Sequence, residues 1–461
     1  MSAVETVPAA RWREAVAAAL AGGGRFAGAW ASAGAWRAAF ATAGAVRVLS
    51  CPAPGAETIT DLVEAALWDE REAHDLHGLG FAGHAPLRPL VAHPPDGWAT
   101  AVSGDGVHEV AVGPIHAGVI ESGHFRFHTV GDRVLALDTR LFYKHRGLER
   151  AASGRTPEAA LAYVQRACAA CAVANSVAYA EAVEDALGLW PDRDLRRSRT
   201  LALELERLYN HLHDIGALCA GVGFAAGTMA FAAFKERAQR LNARLAGHRF
   251  LFSTVAVGRG ALALDAEVAR AARTTLRDLR ADAAAAWREL EFAASLQARL
   301  DGVGVLAHED ALRLGTVGPA ARASGVREDL REHSPRLYYT GLVPARPRAE
   351  TGDVAARLQV RAVELETTFE LLDDLLSAPV GLGAAGAHSD PSALGVGRVE
   401  CPRGATTCAV ETAAGRVATL RLRTASFANW SAVAHVAAGC LLPDFPAINK
   451  SFELCYACVD R

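Results

Sequence analysis

Four of the chain's nine cysteines fall in two Cys-x-x-Cys pairs, Cys168/Cys171 in the middle of the sequence and Cys455/Cys458 at its end. Two residues between cysteines put both sulfurs on one side of a turn or helix end, close enough to share a metal. Thiolates are soft ligands, and a set of four suits zinc, an iron–sulfur cluster or nickel. Structural zinc modules usually keep their two knuckles close in sequence. Here the pairs are far apart, which weakens the zinc-ribbon reading without removing it. A redox dithiol is the other alternative. Cys51, Cys219, Cys401, Cys408 and Cys440 are isolated and read as inert buried thiols.

Composition excludes several function classes. The 461 residues are 51% hydrophobic and 21% charged, enough for a large core and roughly two or three domains. A net charge of -3 gives no basic excess for nucleic acid and no attraction for acidic substrates. The first residues carry acids early and lack a charged segment ahead of an apolar core, so no secretory signal is expected. The expected location is the cytoplasm, or the cytoplasmic side of a membrane through partners. Reduced thiols there favour metal or redox sites over disulfides. The uncharged run from Ile215 to Phe234 is long enough to span a bilayer. It is mostly Ala and Gly and closes on Asp214 and Lys235, so a buried helix pair is expected instead.

The cysteines must be positioned by a mixed scaffold. Helices are expected at Ala9–Ala21, Trp30–Ala43 and Ile59–Glu72, with a strand at Val46–Ser50, in a small α/β domain over residues 1–97. The Pro-, Gly- and His-rich stretch His84–Trp98 reads as a linker. Short strands joined by Gly turns follow over Val107–Leu137. Helical spacing then runs through Thr156–Leu187, Ser198–Leu212, Phe234–Ala246, Ala266–Arg299 and Val354–Leu376. Strands return over Arg398–Thr424, and a last helix near Trp430–Ala438 precedes the C-terminal pair. The fold class is α+β: the α/β N-terminal domain, then a mainly α-helical domain over residues 98–461 with short peripheral β-sheets.

The surroundings of the cysteines resemble a known family. FYKHRGLER (Phe142–Arg150), RACAACAVANSVAYAEAVE (Arg166–Glu184) and DFPAINKSFELCYACVDR (Asp444–Arg461) resemble the signatures of the nickel–iron hydrogenase large subunit. They look most like the membrane-bound, energy-converting branch, formate hydrogenlyase and hydrogenase-4. That branch is related to the quinone-site subunit of respiratory complex I. The kinship shows in GPIHAGVIESGHFRF (Gly113–Phe127), ELERLYNHLHDIG (Glu204–Gly216) and GTVGPAARASGVREDLREHSP (Gly315–Pro335). WDEREAHDLHGLGFAGHAPLRPL (Trp68–Leu90) looks like the complex I accessory subunit that is fused in front in formate hydrogenlyase. Complex I generally lacks the four nickel cysteines, which this chain has.

The resemblance implies a nickel–iron centre with carbon monoxide and cyanide on the iron, supplied by maturation proteins, with Mg as a further candidate ion. Cys168 and Cys455 match terminal nickel ligands, and Cys171 and Cys458 match bridging thiolates. Cys455 is then the proton-accepting thiolate beside a Lewis acid. Glu149 matches the proton-relay carboxylate, whose structural alternative is a helix-end salt bridge. Arg403 matches the arginine over the metals, whose alternative is a strand arginine paired to an acid. Thr424 and Ser426 match hydrogen-bond donors near the diatomic ligands. His116 and His124 match the part that lines the quinone site in complex I. His211 and His213, two residues apart on one helix, are poor ligand candidates.

Three positions depart from the family pattern. Ala169 replaces a Gly and demands a negative φ. Asn175 replaces a His and can donate hydrogen bonds but not titrate. Leu454 replaces a Pro. In many relatives a peptide is removed after the basic residue that follows the last cysteine, and that residue here is Arg461.

The implied reaction is the interconversion of H2 with protons and electrons. Its implied partners are an iron–sulfur subunit holding a 4Fe-4S cluster, integral-membrane antiporter-like subunits and maturation proteins. The chain itself would be peripheral to the membrane. The rivals are a nickel-free, quinone-binding module of an NADH:quinone oxidoreductase and an assembly subunit with structural zinc.

Overall fold

The structure is a computed structural model that describes residues 2–32, 34–42, 44–53, 55–116, 121–339 and 350–461. Residues 117–120 of the Gly113–Phe127 motif, and positions 33 and 43 of the expected Trp30–Ala43 helix, lie outside them.

In the N-terminal domain, β1 (Ser2–Thr6), β2 (Arg25–Ser32), β3 (Ala35–Thr42) and β4 (Ala45–Pro52) form a sheet in the order β1-β4-β3-β2. Only the β1–β4 pair is parallel. Helix α1 (Trp12–Ala21) covers one face with Trp12, Val16 and Ala19, the i, i+4, i+7 stripe of an amphipathic helix. Helix α2 (Leu67–His77) follows. Each large apolar side chain buried there contributes roughly 1.5–3 kcal/mol.

Trp30–Ala43 is a hairpin and not a helix. Its alanines have high helix propensity, but the stretch alternates between two cores. Trp36, Ala38 and Phe40 face the α1 side, whereas Ala39 and Ala41 pack with Leu394, Val396 and Ala409 of the large domain. A sheet buried on both faces loses the polar alternation that marks a strand. Gly34 supplies the turn with φ +72°.

The large domain starts with an antiparallel sheet of β5 (Val107–Val112), β6 (His124–Val130) and β7 (Arg133–Arg140). There follow α3 (Leu148–Ala152), α4 (Pro157–Gln165), α5 (Ala172–Ala186), β8 (Leu189–Pro191), α6 (Arg193–Gly221), α7 (Ala225–Ala246), β9 (Val255–Ala256), β10 (Arg259–Gly260) and α8 (Ala266–Glu291). Short helices α9 (Ala294–Gln297), α10 (His308–Arg313) and α11 (Gly318–Ala323) lead to α12 (Val354–Leu375) and β11 (Ala385–Ala387). A three-stranded sheet of β12 (Leu394–Cys401), β13 (Gly404–Ala413) and β14 (Arg416–Arg423) precedes α13 (Ala425–Ala437), α14 (Phe445–Phe452) and α15 (Tyr456–Asp460).

Helix α6 is the axis of this domain. Asp192 caps it by accepting the Leu195 N–H at 2.8 Å. Leu201, Leu205, Leu208, Leu212 and Ile215 are fully buried along it. It packs on α5, α7, α12 and α14. Many of the charges that enter this core are paired: Arg199–Glu184 at 2.5 Å, Arg207–Glu204 at 3.1 Å and Arg322 with Glu364 at 2.7 Å and Glu400 at 2.8 Å.

Several expected elements shift. Helix α2 begins at Leu67 rather than Ile59, because Val63 is extended and Glu70 instead accepts the Ile59 N–H at 2.8 Å. Thr156–Leu187 is two helices broken at the cysteines. Ile215–Phe234 is the end of α6, a turn and the start of α7. Among the described residues no helix is long and apolar enough to cross a membrane.

Candidate metal centre

The first cysteine pair sits where α4 stops and α5 starts. Cys168 is extended (φ -156°, ψ 134°), Ala169–Cys171 forms one 3-10 turn, and Cys171 opens α5. Ala169 adopts a negative φ, so the departure from Gly causes no backbone strain. One face of α6 holds this turn. Glu206 accepts the N–H groups of Val173 at 2.6 Å and Ala174 at 3.0 Å, capping α5 from outside. Asn210 Nδ2 donates to the Ala170 carbonyl at 2.8 Å, and the Tyr209 hydroxyl donates to that of Ala169 at 3.3 Å. Burial pushes the Glu206 carboxyl up to about 8, with the Val173 and Ala174 N–H groups pulling the other way.

The second pair rests on α13. Glu453 ends α14 with φ +46°, and Cys455 opens α15, its Sγ accepting the Cys458 N–H at 3.4 Å. Ser426 Oγ accepts the Cys455 N–H at 3.0 Å, and Thr424 Oγ1 donates to the Cys458 carbonyl at 3.1 Å. Glu121 Oε2 accepts the Ala457 N–H at 2.6 Å. Gly123 lets this segment approach, since a Cβ there would lie 2.6 Å from the Tyr456 ring. The Asp460 carboxylate accepts the N–H groups of Phe142 at 2.7 Å and Lys144 at 2.8 Å.

These elements bring all four expected cysteines into one cluster. Cys168 and Cys455 sulfurs lie 3.0 Å apart, and those of Cys168, Cys455 and Cys458 lie within 4.8 Å of one another. None of the four is in a disulfide. Cys455 alone is half-buried. Hydrogen bonds from Cys168 and Cys458 lower the Cys455 thiol to about 6, whereas the Cys458 thiol rises through its contacts with Cys168, Cys171 and Cys455. Asn175 Nδ2 reaches the Cys458 Sγ at 4.0 Å, and its buried Oδ1 has no partner.

Arg403 stands at the turn between β12 and β13. Its guanidinium donates to Asn210 Oδ1 at 2.9 Å, the Glu453 carbonyl at 2.5 Å and Cys171 Sγ at 3.8 Å, and pairs with Asp214 at 3.5 Å. Burial opposes its charge, but Asp214 and the cysteine sulfurs outweigh burial and hold it well above the usual range. The turn fits because Gly404 and Gly318 lie back to back: a Cβ on Gly318 would meet the Arg403 carbonyl at 2.3 Å.

Glu149 lies apart from the sulfurs. Its Oε1 accepts the Leu422 N–H at 2.7 Å and pairs with Arg461 at 3.3 Å, with Arg421 at 3.9 Å. His124 is linked to the Gly113 carbonyl at 3.0 Å, and His116 is exposed. His211 pairs with Glu364 and His213 with Glu453, and neither histidine is in the sulfur cluster. Reading the sequence missed Glu121, Glu206, Asn210 and Asp214. The last three recur every fourth residue on a long apolar helix, a stripe that signals a buried polar face. Glu121 had no such signal.

The donor set fits a soft metal: four sulfurs from two distant parts of the sequence, a buried cation beside them and a buried amide oxygen left open. The comparisons agree. The nickel-dependent hydrogenase family model matches residues 146–246. The respiratory-chain NADH dehydrogenase 49 kDa subunit model matches 222–381 and 382–461, and its 30 kDa counterpart 40–104. Formate hydrogenlyase subunit 5 of Escherichia coli (strain K12) is 31% identical over 442 residues, covering 88% of this chain and 77% of that one. Hydrogenase-4 component G of the same strain is 29% identical, covering 88% and 75%. The solved structure of the membrane-bound sulfane sulfur reductase, an archaeal respiratory membrane complex, superposes with a TM-score of 0.72 at 26% identity, over 80% of this chain and 100% of that one. With the 49 kDa model spanning over half its length, this chain belongs to the family of membrane-bound nickel–iron hydrogenase large subunits and their complex I relatives.

Proposed function

We propose that the chain is the catalytic large subunit of a membrane-associated nickel–iron hydrogenase, with Cys168 and Cys455 as terminal ligands of nickel and Cys171 and Cys458 bridging to iron. The observation that carries the reading is the convergence of these four thiols, free of disulfides, with Cys168 and Cys455 in contact at 3.0 Å. A metal pair held by these four thiols, with carbon monoxide and cyanide on its iron, would supply the Lewis acid and the redox capacity for H2 chemistry. The chain's own residues handle the proton and the geometry. Cys455 Sγ would accept a proton, as the half-buried member of the four. Glu121, bonded to the Ala457 N–H between Cys455 and Cys458, is a carboxylate placed to pass it on. Glu149 is the next station toward the N-terminal domain. Arg403 holds a fixed positive charge beside the anionic sulfurs. Thr424 and Ser426 hold the backbone of Cys458 and Cys455.

Electrons pass to a partner iron–sulfur subunit, since the remaining cysteines form no second metal-binding group among the described residues. Integral-membrane subunits then hold the chain at the cytoplasmic side of the membrane, and maturation proteins load the centre. Magnesium is a further ion to seek in the loaded protein. The domain boundary falls between residues 97 and 98 in this reading. Asn175, which cannot titrate, favours a second reading as a nickel-free, complex I-like module. The test is Cys455→Ser: H2 turnover falls to background while circular dichroism and Tm stay near those of the parent. Full turnover in that variant would remove Cys455 from the proton step.

A further inference from the structure

We infer that Glu72, on α2 of the N-terminal domain, is a positioning residue for the Cys455/Cys458 pair, acting through Arg461 and the first turn of α13. The inference rests on the reading of that pair as metal ligands, but its geometry is independent of which metal is bound.

Three arginines of the large domain meet over one ring. The guanidiniums of Arg421, Arg423 and Arg461 lie 5.0, 5.7 and 4.9 Å from the centroid of Phe427. The N-terminal domain supplies the anions. Glu72 Oε1 accepts from Arg421 at 2.7 Å and Arg461 at 2.6 Å, and Asp69 pairs with Arg421 at 3.0 Å and Arg423 at 3.1 Å. All five charged groups are at least nine-tenths buried. Trp68 of α2 closes on Phe427 edge to face at 5.5 Å. The N-terminal sheet is shaped to admit this group: a Cβ on Gly28 would lie 2.6 Å from Arg423 Cδ.

The other side of the same helical turn carries the cysteines. Thr424 accepts the Phe427 N–H at 3.2 Å and donates to the Cys458 carbonyl, while Ser426 takes the Cys455 N–H. Arg461 is tied at its backbone too, donating to the Ala457 carbonyl at 3.1 Å and accepting the Arg146 N–H at 2.8 Å. A single oxygen of Glu72 therefore fixes both the residue that ends this turn of chain and the arginine above Phe427. Buried pairs of this kind are little screened by solvent. Removing the carboxylate leaves Arg461 shared only with Glu149 and the Leu422 carbonyl. The α15 segment then opens more readily than the rest of the core.

The test uses the full chain in its metal-free state, alkylated with N-ethylmaleimide and mapped by peptide mass spectrometry. Glu72→Gln should speed labelling of Cys455 and Cys458 by about tenfold, with Cys51, Cys168, Cys171 and Cys219 at parental rates and Glu72→Asp returning part of the protection. Asp61→Asn, which breaks an exposed pair with Arg13 in the same domain, should change nothing. Parental labelling of Cys455 and Cys458 in Glu72→Gln would overturn the inference. So would uniform acceleration that includes Cys51 and Cys219, the mark of a merely structural role. Should Glu72→Gln fail to fold, the double variant Glu72→Gln/Arg461→Gln relieves the unpaired charge. It should fold and still label fast at Cys455 and Cys458, and parental labelling there would overturn the inference. A chain that labels selectively yet never holds nickel would leave this inference standing and remove the hydrogenase reading.

Discussion

The two cysteine pairs differ in how they are held. Cys168 and Cys171 sit at a helix junction clamped by Glu206, Tyr209 and Asn210 of the long, largely buried helix α6. Cys455 caps and Cys458 sits in a five-residue helix, held near the cysteines by single hydrogen bonds to Ser426, Thr424 and Glu121 and at its far end by Asp460 and Arg461. Of the four, Cys455 in the second pair is the half-buried one, and its thiol is lowered to about 6. On this account one half of the site is expected to behave as the firmer floor and the other as the looser lid. In the function proposed above, the lid is the half that carries the proton-accepting thiol.

Arg403 touches both halves, so it gives the largest expected effect. Arg403→Met leaves Asp214 with only Arg361 and strips the cation from Cys171, costing about 3–5 kcal/mol as for other broken buried pairs. A denaturant titration should show that loss, together with faster alkylation of both pairs. Stability near that of the parent would mean the guanidinium is not the bridge between them.

Glu206 should separate the halves. Glu206→Ala leaves two buried N–H groups unpaired, costs about 2–5 kcal/mol, and exposes Cys168 and Cys171 but not Cys455. Glu206→Gln keeps an acceptor and should cost far less. It also carries a pH signature. The Glu206 carboxyl is raised from 4.5 to about 8 in the folded chain, so its contribution to stability is full below pH 4.5 and is lost as pH rises toward 8. The stability of Glu206→Gln relative to the parent should therefore climb across that window, by at most about 1.4 kcal/mol per pH unit, and level off above it. A flat difference would mean the carboxyl is not neutral in the fold.

Ser426→Ala should be the mildest. It removes one acceptor from the lid and should cost about 0.5–1.5 kcal/mol, with faster labelling confined to Cys455 and Cys458. Equal acceleration at Cys168 would dissolve the distinction between floor and lid.

Much of this was legible in the residues. The spacing of both cysteine pairs, the β12–β14 hairpins and the long periodic helices α8 and α12 could be read directly, because each is encoded locally. The Trp30–Ala43 hairpin could not, since its alanines are buried on both faces by partners distant in sequence. Arg403, Thr424 and Ser426 sit against the cysteine segments, whereas Glu149 sits in the arginine cluster beside Arg421 and Arg461. Glu121 looks like an ordinary surface acid in the sequence, and Glu206 is marked only by the four-residue spacing it shares with Asn210 and Asp214. Only the tertiary fold turns them onto the backbone of Ala457 and of Val173 and Ala174.

The central claim is that these four thiols hold nickel and iron. The most direct test is elemental analysis, by mass spectrometry, of the protein purified from its native host with its maturation machinery intact. About one nickel per chain with iron present is the result expected. Zinc without nickel, or no metal in a chain shown to have met its maturation proteins, would contradict it.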